Sequence, residues 1–228
     1  MAIIPIQLER EYTFQQTRDA AIAAGLPNQS LEEVIDCWDV VQIWWNQLEE
    51  RFGTINQLRH HVPPDDPPDN ELMCENEIVP IEHTRLQPYP MGQFENLRNE
   101  VSPGECVLVP SISNPPRSRQ EMLDSMFSMF DPPWEEVPAR WAVIRNNLSD
   151  TVRRKMQGLT GHGIVAVIDR LHERDGALFG NIAHEMINSP PFADFAPFTL
   201  ILLTRFNSSQ FRSSMVRRGE AVAFRSHD

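Results

Sequence analysis

The sequence contains few cysteines and almost no lysine, and the cysteine shortage already excludes two kinds of small structural site. The three cysteines, Cys37, Cys74 and Cys106, are far apart and form no C-x-x-C pair. A zinc ribbon needs closely spaced cysteines and a disulfide framework needs an even number of them, so the sequence predicts neither. Free thiols are typical of a reducing compartment, and we therefore expect a cytoplasmic protein.

Long apolar runs and common catalytic motifs are also missing. The run from Leu200 to Leu203 is far shorter than the roughly 20 apolar residues that a membrane-spanning helix needs. The first residues carry no basic leader. No G-x-S-x-G, G-x-x-x-x-G-K-[ST] or G-x-G-x-x-G pattern occurs. From these absences we predict no membrane segment, no cofactor and no enzyme activity.

Charge is divided unevenly along the chain. Residues 1–100 carry 18 acidic and 6 basic side chains, whereas residues 101–228 carry 14 of each, so all of the net charge of −12 lies in the first part. Of the 20 basic residues, 19 are arginines and only Lys155 is a lysine. Arginine offers a planar fork to phosphate or carboxylate, which favours nucleic-acid binding or ion pairs between subunits. Codon bias in the source genome is an equally open explanation.

Apolar periodicity predicts a long helix in the N-terminal part. From Leu31 to Phe52 apolar residues recur at alternating spacings of three and four, after a capping box formed by Ser30 and Glu33. The opposite face is acidic and comprises Glu32, Glu33, Asp36, Asp39, Glu49 and Glu50. We interpret this segment as a helix packed in a bundle, with its acidic face in water. A carboxylate cluster for a metal or a basic partner is the alternative.

Prolines interrupt the middle of the chain. The stretch VPPDDPPDN at residues 62–70 cannot form a helix or a central strand. We interpret residues 62–117 as an extended connection between an N-terminal helical unit at 1–61 and a C-terminal helical unit at 118–228. The expected fold is therefore mainly α, a helical bundle with a long irregular middle segment and little β structure. The best strand candidate is the segment at residues 105–109.

Candidate metal ligands do not match known spacings. His162, His172 and His184 lie in consecutive predicted helical segments near carboxylates, but no H-E-x-x-H pattern occurs. Acidic residues 65–77 lack the spacing and the glycine of an EF-hand loop, so we interpret them as a solvated loop. We predict no catalytic and no metal-binding residues, although a composite metal site built from two helices stays open.

Basic residues of the C-terminal half form the candidate nucleic-acid surface. The predicted contacts are Arg153, Arg154, Lys155, Arg205, Arg212, Arg217 and Arg218. Near the C-terminus the arginines alternate with serine and phenylalanine, a composition that suits contact with a single-stranded backbone. A solvated tail, or ion pairs with the acidic half of another subunit, is the alternative. The predicted assembly interface comprises Trp38, Trp44, Trp45, Glu49 and Glu50.

Residues 205–215, RFNSSQFRSSM, resemble the aromatic–polar–phenylalanine stretch near the C-terminus of rod-shaped plant virus coat proteins of the tobamovirus type. The helix that carries Trp38, Trp44 and Trp45 is similar to the tryptophan-bearing N-terminal helix of some members. Arg212 departs from the family pattern, which usually has an acidic residue there. The resemblance implies a helical protein that polymerises around RNA, located in the virion and the host cytoplasm.

The sequence as a whole favours a non-enzymatic assembly protein. We expect a homo-oligomer that associates through acidic and arginine-rich faces and binds single-stranded RNA through its C-terminal half. Two alternatives remain open. One is a viral accessory protein that binds a host protein, and the less favoured one is an enzyme with a composite site of histidines and carboxylates.

Overall fold

A computed structural model describes residues 3–62, 68–86, 97, 116–126, 137–159, 162–169, 176–205 and 210–227. These residues contain one eight-stranded sheet whose strands follow each other in chain order. The strands are β1 (Ile3–Ile6), β2 (Ile55–His61), β3 (Asn70–Cys74), β4 (Ile78–Leu86), β5 (Ile164–Asp169), β6 (Thr199–Arg205), β7 (Phe211–Arg217) and β8 (Ala223–His227). The helices are α1 (Phe14–Ala23), α2 (Asn28–Ile43), α3 (Trp45–Phe52), α4 (Arg119–Met126), α5 (Val137–Met156) and α6 (Gly176–Ile187), followed by a 3₁₀ turn at Phe192–Asp194.

The sheet is mixed. Strands β1 to β4 form an antiparallel meander, β5 and β6 are parallel, and β6, β7 and β8 are antiparallel. Helix α6 connects the two parallel strands, which is the usual way to join neighbours of that kind. The fold is therefore α/β, and our prediction of a mainly α helical bundle with little β structure was wrong.

Helices cover both faces of the sheet. The indole Nε1 of Trp44 donates a hydrogen bond to Ser213 Oγ in β7 at 2.8 Å. The next residue, Ser214, lies against Gly180 of α6. Because successive residues of a strand point to opposite faces, α2 and α3 lie on one side of the sheet and α6 lies on the other.

The two parallel strands explain one wrong prediction. All residues of β5, with the sequence IVAVID, are buried, and so are the first six residues of β6. Strands covered on both faces have continuous apolar runs without alternation. In β5 the positions of Ile164, Val167 and Ile168 also fit a helical stripe, and we had therefore predicted a helix there.

The apolar residues that recur at spacings of three and four from Leu31 to Phe52, which we call the heptad seam, are confirmed as a buried face, but the helix is not continuous. Helix α2 ends at Ile43 and α3 begins at Trp45, with Trp44 between them outside helical geometry. Every apolar residue of the seam is buried: Leu31, Val34, Trp38, Val41, Trp45, Leu48 and Phe52. The Ser30 capping box is not formed, because α2 already begins at Asn28 and Ser30 is buried inside it.

Two compact units divide the chain, one formed by residues 1–85 with 151–228 and the other by residues 86–150. Residues 70–86, which we had assigned to an irregular connection, form strands β3 and β4 of the first unit's sheet. The strand candidate at residues 105–109 lies outside the described residues. None of the helices in the described ranges is long and apolar enough to cross a membrane.

Candidate active site

The only lysine of the protein lies between two carboxylates. Lys155, in the last turn of α5, donates hydrogen bonds to Asp69 Oδ2 at 2.7 Å and to Glu82 Oε2 at 2.9 Å. Asp69 directly precedes β3 and Glu82 lies in β4. The antiparallel register pairs Asn70 with Ile81, so the next pair along the two strands brings Asp69 and Glu82 side by side.

Glu33 of α2 adds a third carboxylate. Asn70 Nδ2 donates to Glu33 Oε1 at 3.4 Å. Burial raises the pKa of Glu33, and the negative charge of Asp69 raises it further. We call Glu33, Asp69, Glu82 and Lys155 the carboxylate–lysine cluster. One ammonium group faces three carboxyl groups here, so the cluster has an excess of negative charge when all three are ionised.

Glu82 is the most deeply buried member of this cluster. The residue is 1% exposed, and its Oε1 atom has no hydrogen-bond partner. Burial raises the pKa of Glu82 to about 7; the hydrogen bond from Lys155 acts in the opposite direction, and the charge of Asp69 adds to the increase. A buried carboxylate oxygen without a partner is unfavourable unless another group binds it.

Lys155 stays charged in this environment. Burial alone would lower its pKa, but the hydrogen bonds to Asp69 and Glu82 outweigh burial and raise it. The side chains of Lys155 and Asp69 are 29% and 27% exposed, whereas the Glu82 side chain is 2% exposed. The cluster therefore has a buried end at Glu82 and an open end that a solute can reach.

Asn70 links the cluster to a second buried polar group. Its Nδ2 atom also donates to Cys37 Sγ at 3.2 Å, and its Oδ1 atom lies 3.0 Å from His60 Nδ1. Both Asn70 and His60 are almost completely buried. Burial raises the pKa of the Cys37 thiol well above its usual value, which favours the protonated thiol over the reactive thiolate.

The rest of the acidic face of α2 is paired with cations. Asp36 Oδ2 accepts from Arg85 at 3.0 Å and lies 3.3 Å from His83 Nε2. Burial would raise the pKa of Asp36, but these two partners outweigh burial and lower it. One turn later, Asp39 forms an ion pair with Arg205 of β6 at 2.6 Å. Asp36 and Asp39 thus pack toward the sheet, whereas we had expected them in water.

The structure separates the predicted nucleic-acid residues into two groups. Arg153 and Arg154 are exposed next to Lys155 at the end of α5, where Arg154 donates to Thr151 Oγ1 at 3.4 Å. The others lie on the sheet or beside it and also bond within the chain. Arg217 bonds Thr199 and Glu220, and Arg218 donates to backbone carbonyl groups. Arg212 is half-buried in β7, and Arg205 forms the ion pair described above.

The predicted assembly residues are mostly core residues. Trp38 and Trp44 are each 1% exposed, and Trp45 packs edge-on against Trp38 with ring centroids 5.8 Å apart. A side chain buried in this way has no surface to offer to another subunit. Glu49 accepts a hydrogen bond from the backbone N–H of Ile55, and Glu50 is exposed.

The predicted histidines do not come together in the described part of the chain. His162 is exposed, and His184 Nε2 lies 3.0 Å from the backbone oxygen of Glu220. His172 lies outside the described residues. Within the ranges that the structure describes, no three histidine, cysteine or acidic side chains form a ready-made metal site.

Sequence reasoning missed Asp69 and Glu82. Asp69 was interpreted as part of a solvated loop, and Glu82 was not singled out. Members of the cluster lie at positions 33, 69, 82 and 155, so no short motif connects them. The one available signal was the presence of a single lysine in a chain that otherwise uses arginine.

Comparisons with known proteins do not identify a relative. The chain matches no protein family, no curated protein and no solved structure. The similarity to virus coat proteins therefore stays a prediction.

Proposed function

We propose that this protein is a metal-dependent hydrolase of phosphodiester bonds and that the carboxylate–lysine cluster is its active site. The proposal is carried by the position of the chain's single lysine. Lys155 is held between Asp69 and the buried Glu82, and the Oε1 atom of Glu82 has no hydrogen-bond partner. This proposal differs from the non-enzymatic protein that we expected from the sequence.

The residues of the cluster suit a Mg²⁺ ion. Mg²⁺ prefers carboxylate oxygens, and proteins usually bind it through one or two carboxylates together with water and substrate phosphate. Asp69 and Glu82 supply two such groups, and Glu82 Oε1 has no competing partner. A site of this kind needs no third protein ligand. When bound, the ion would act as a Lewis acid on the phosphoryl oxygen.

Lys155 fits the role of an electrostatic catalyst. Its ammonium group is a compact point charge, whereas arginine spreads its charge over a planar fork. Held by Asp69 and Glu82, it can stabilise negative charge that develops on the phosphoryl group or hold a water molecule next to it. Preorganised charge of this kind is most effective in a site that is partly shielded from water, as this cluster is.

The surroundings of Lys155 favour a nucleic-acid substrate. Arg153 and Arg154 are exposed beside it and can contact phosphates of a longer strand. Glu33 completes the acidic side of the cluster, and Asn70 holds it in position. Nucleic-acid binding by Arg153, Arg154 and Lys155 was also expected from the sequence, and it becomes part of this proposal.

Cleavage assays test the proposal. Purified protein is incubated with single- and double-stranded DNA and RNA in Mg²⁺, in Mn²⁺ and in a chelator. We expect cleavage only with metal, and loss of cleavage in Glu82→Gln and Lys155→Met. Glu77→Gln, an exposed residue in the turn between β3 and β4, is the matched control and should behave like wild type. Absence of metal-dependent cleavage of all four substrates would contradict the proposal.

Self-assembly around RNA remains a separate prediction from the sequence. It uses Arg205, Arg217 and Arg218, which here bond within the chain. Light scattering across pH and salt tests it, because acidic and basic faces that attract each other should give larger particles at low salt. A protein that stays monomeric in every condition would contradict it.

A further inference from the structure

A pocket lies at the C-terminal end of α2, on the same helix as Glu33 of the cluster. It is a pocket of about 420 Å³, a size typical of small-molecule sites. Its walls come from the segment that leads into α1, the first residue of α1, the end of α2, the end of β6, the start of β7 and the middle of β8. The residues that matter for its chemistry are Arg10, Tyr12, Phe14, Phe211 and Arg225.

Two of its arginines are held on indole rings. The guanidinium of Arg225 lies 5.3 Å from the Trp44 ring centroid, and that of Arg10 lies 5.7 Å from the Trp45 ring centroid. Arg225 donates to Gln47 Oε1 at 2.9 Å, and Arg10 donates to Asn46 Oδ1 at 2.7 Å. These acceptors are neutral amides, so the bonds fix the two guanidinium groups without cancelling their charge.

The pocket as a whole is positively charged. Three arginines line it against two carboxylates, Glu11 and Asp39. Asp39 is engaged by Arg205 in an ion pair. A net positive pocket in a chain of net charge −12 indicates an anionic ligand.

Aromatic rings supply the rest of the wall. Phe14 is 54% exposed at the pocket, and Phe211 stacks on His227 with ring centroids 6.3 Å apart. Gln42 Nε2 donates to the backbone oxygens of Arg10 and Tyr12, both at 2.8 Å, which fixes the segment that carries Tyr12 and Phe14. Rings that are partly open to solvent on a fixed wall can stack on a planar ligand.

We propose that this pocket binds one nucleotide of the substrate strand, with its base on Tyr12, Phe14 and Phe211 and its phosphate on Arg10 and Arg225. This inference rests on the proposed function, because the strand is the one whose phosphodiester lies at the carboxylate–lysine cluster. Glu33 of the cluster and Asp39 of the pocket are six residues apart on α2, a rise of about 9 Å. The two sites therefore lie along the same helix.

Binding of small probes tests the pocket without any cleavage. The probes are 5′-AMP, adenosine and inorganic phosphate, followed by tryptophan fluorescence, since Trp44 and Trp45 lie under the two arginines. We expect 5′-AMP to bind more tightly than either fragment. Arg225→Gln should weaken 5′-AMP about tenfold and adenosine little, whereas Phe211→Ala should weaken both about tenfold. Arg18→Gln, an exposed arginine of α1 outside the pocket, is the matched control.

Two further variants separate folding and catalysis from binding. Arg225→Lys keeps the charge and should recover part of the 5′-AMP affinity, and thermal melting checks that Arg225→Gln still folds. Glu82→Gln should bind 5′-AMP like wild type, because Glu82 does not line the pocket. In cleavage assays Arg225→Gln should raise KM for an oligonucleotide with little change in kcat.

The outcomes distinguish the two proposals. No saturable 5′-AMP binding at millimolar concentration, or equal loss in Arg225→Gln and Arg18→Gln, overturns the pocket proposal even if the protein cleaves nucleic acid. Saturable 5′-AMP binding in a protein that cleaves no nucleic acid overturns the proposed function, and with it the assignment of the nucleotide to a substrate strand.

Discussion

Two groups of charges on helix α2 differ in their balance. Asp36 and Asp39 each have an arginine partner, Arg85 and Arg205, and both arginines come from strands of the sheet. About one and two turns earlier on the helix, Glu33 belongs to a cluster in which a single lysine faces three carboxylates. Arg85 also pairs with Glu32, whose side chain is 71% exposed, so the one-to-one matching holds for the buried carboxylates Asp36 and Asp39. We call these two ion pairs the balanced group and the cluster around Lys155 the unbalanced cluster.

This difference separates charges that hold the fold from charges that are available for chemistry. A balanced buried pair satisfies its own members and offers little to a ligand. An unbalanced cluster that includes the unsatisfied Oε1 atom of Glu82 is less stable by itself and gains when a cation binds. Substitutions in the two groups should therefore have different effects on activity and on stability.

The largest expected effect is on cleavage. Lys155→Met and Glu82→Gln should each reduce kcat by at least about 100-fold, because each removes charge that acts on the transition state or holds the metal. Steady-state kinetics on an oligonucleotide measure the loss, and circular dichroism confirms that the variants fold. If Arg205→Met reduced kcat equally, the distinction between the two groups of charges would be wrong.

The next effect is on the pH dependence of stability. The pKa of Glu82 is about 7 in the folded state and near 4.5 in the unfolded state, so the folded protein binds the proton of this carboxyl group more tightly. The protonated Glu82 therefore adds to the unfolding free energy in full below pH 4.5, and this contribution is lost as the pH rises through 7. Between pH 5 and 8 the unfolding free energy of wild type should fall by roughly 2 kcal/mol more than that of Glu82→Gln.

Denaturant titrations at several pH values measure this difference. At pH 8, added Mg²⁺ should recover stability in wild type and have little effect in Glu82→Gln, because the metal binds the ionised carboxylate. If the unfolding free energies of wild type and Glu82→Gln changed equally with pH, the cluster would not be unbalanced.

A smaller effect is expected in the balanced group. Arg205→Met leaves Asp39 without its cation, and the pKa of Asp39, already raised by burial to about 6, should rise further because Arg205 lowers it. The variant should lose about 1–2 kcal/mol of unfolding free energy at pH 8 and clearly less at pH 5, where Asp39 is neutral. Thermal unfolding at the two pH values measures both losses, and an equal loss at both would contradict the explanation.

The smallest effect concerns the exposed arginines beside the cluster. Arg153→Gln and Arg154→Gln should each weaken binding of a DNA strand a few-fold and reduce the salt dependence of binding by about one unit of slope. Fluorescence anisotropy at several salt concentrations, in a chelator so that nothing is cleaved, measures both changes. Arg18→Gln, an exposed arginine of α1 in the same unit as the cluster, is the control. If Arg18→Gln weakened binding as much, the effect would not depend on closeness to the cluster.

The buried face of α2 and α3 could be predicted from sequence, but the sheet could not. Spacing of three and four identified the apolar residues from Leu31 to Phe52 correctly. Strand β5 was missed because an unbroken apolar run fits a helix and a buried strand equally well. Strands β3 and β4 were missed because the prolines around them indicated an irregular segment.

The candidate site could not be predicted because it forms only when distant segments meet. Asp69 and Glu82 become neighbours through the register of β3 and β4, and Lys155 arrives from a helix much later in the chain. The alternative that α2 carries a carboxylate cluster for a metal or a basic partner stays a prediction. Glu33 lies beside the other acidic members of the cluster, whereas Asp36 and Asp39 pair with arginines of other strands.

The single lysine also makes the chain unusually simple to probe. A protease specific for lysine has one cleavage site in the whole sequence, after residue 155, at the end of α5. In the folded protein that side chain is held by Asp69 and Glu82, so cutting there requires the helix end to open. The rate at which the chain is converted into two fragments therefore reports local opening at the cluster, without a label and without a substrate.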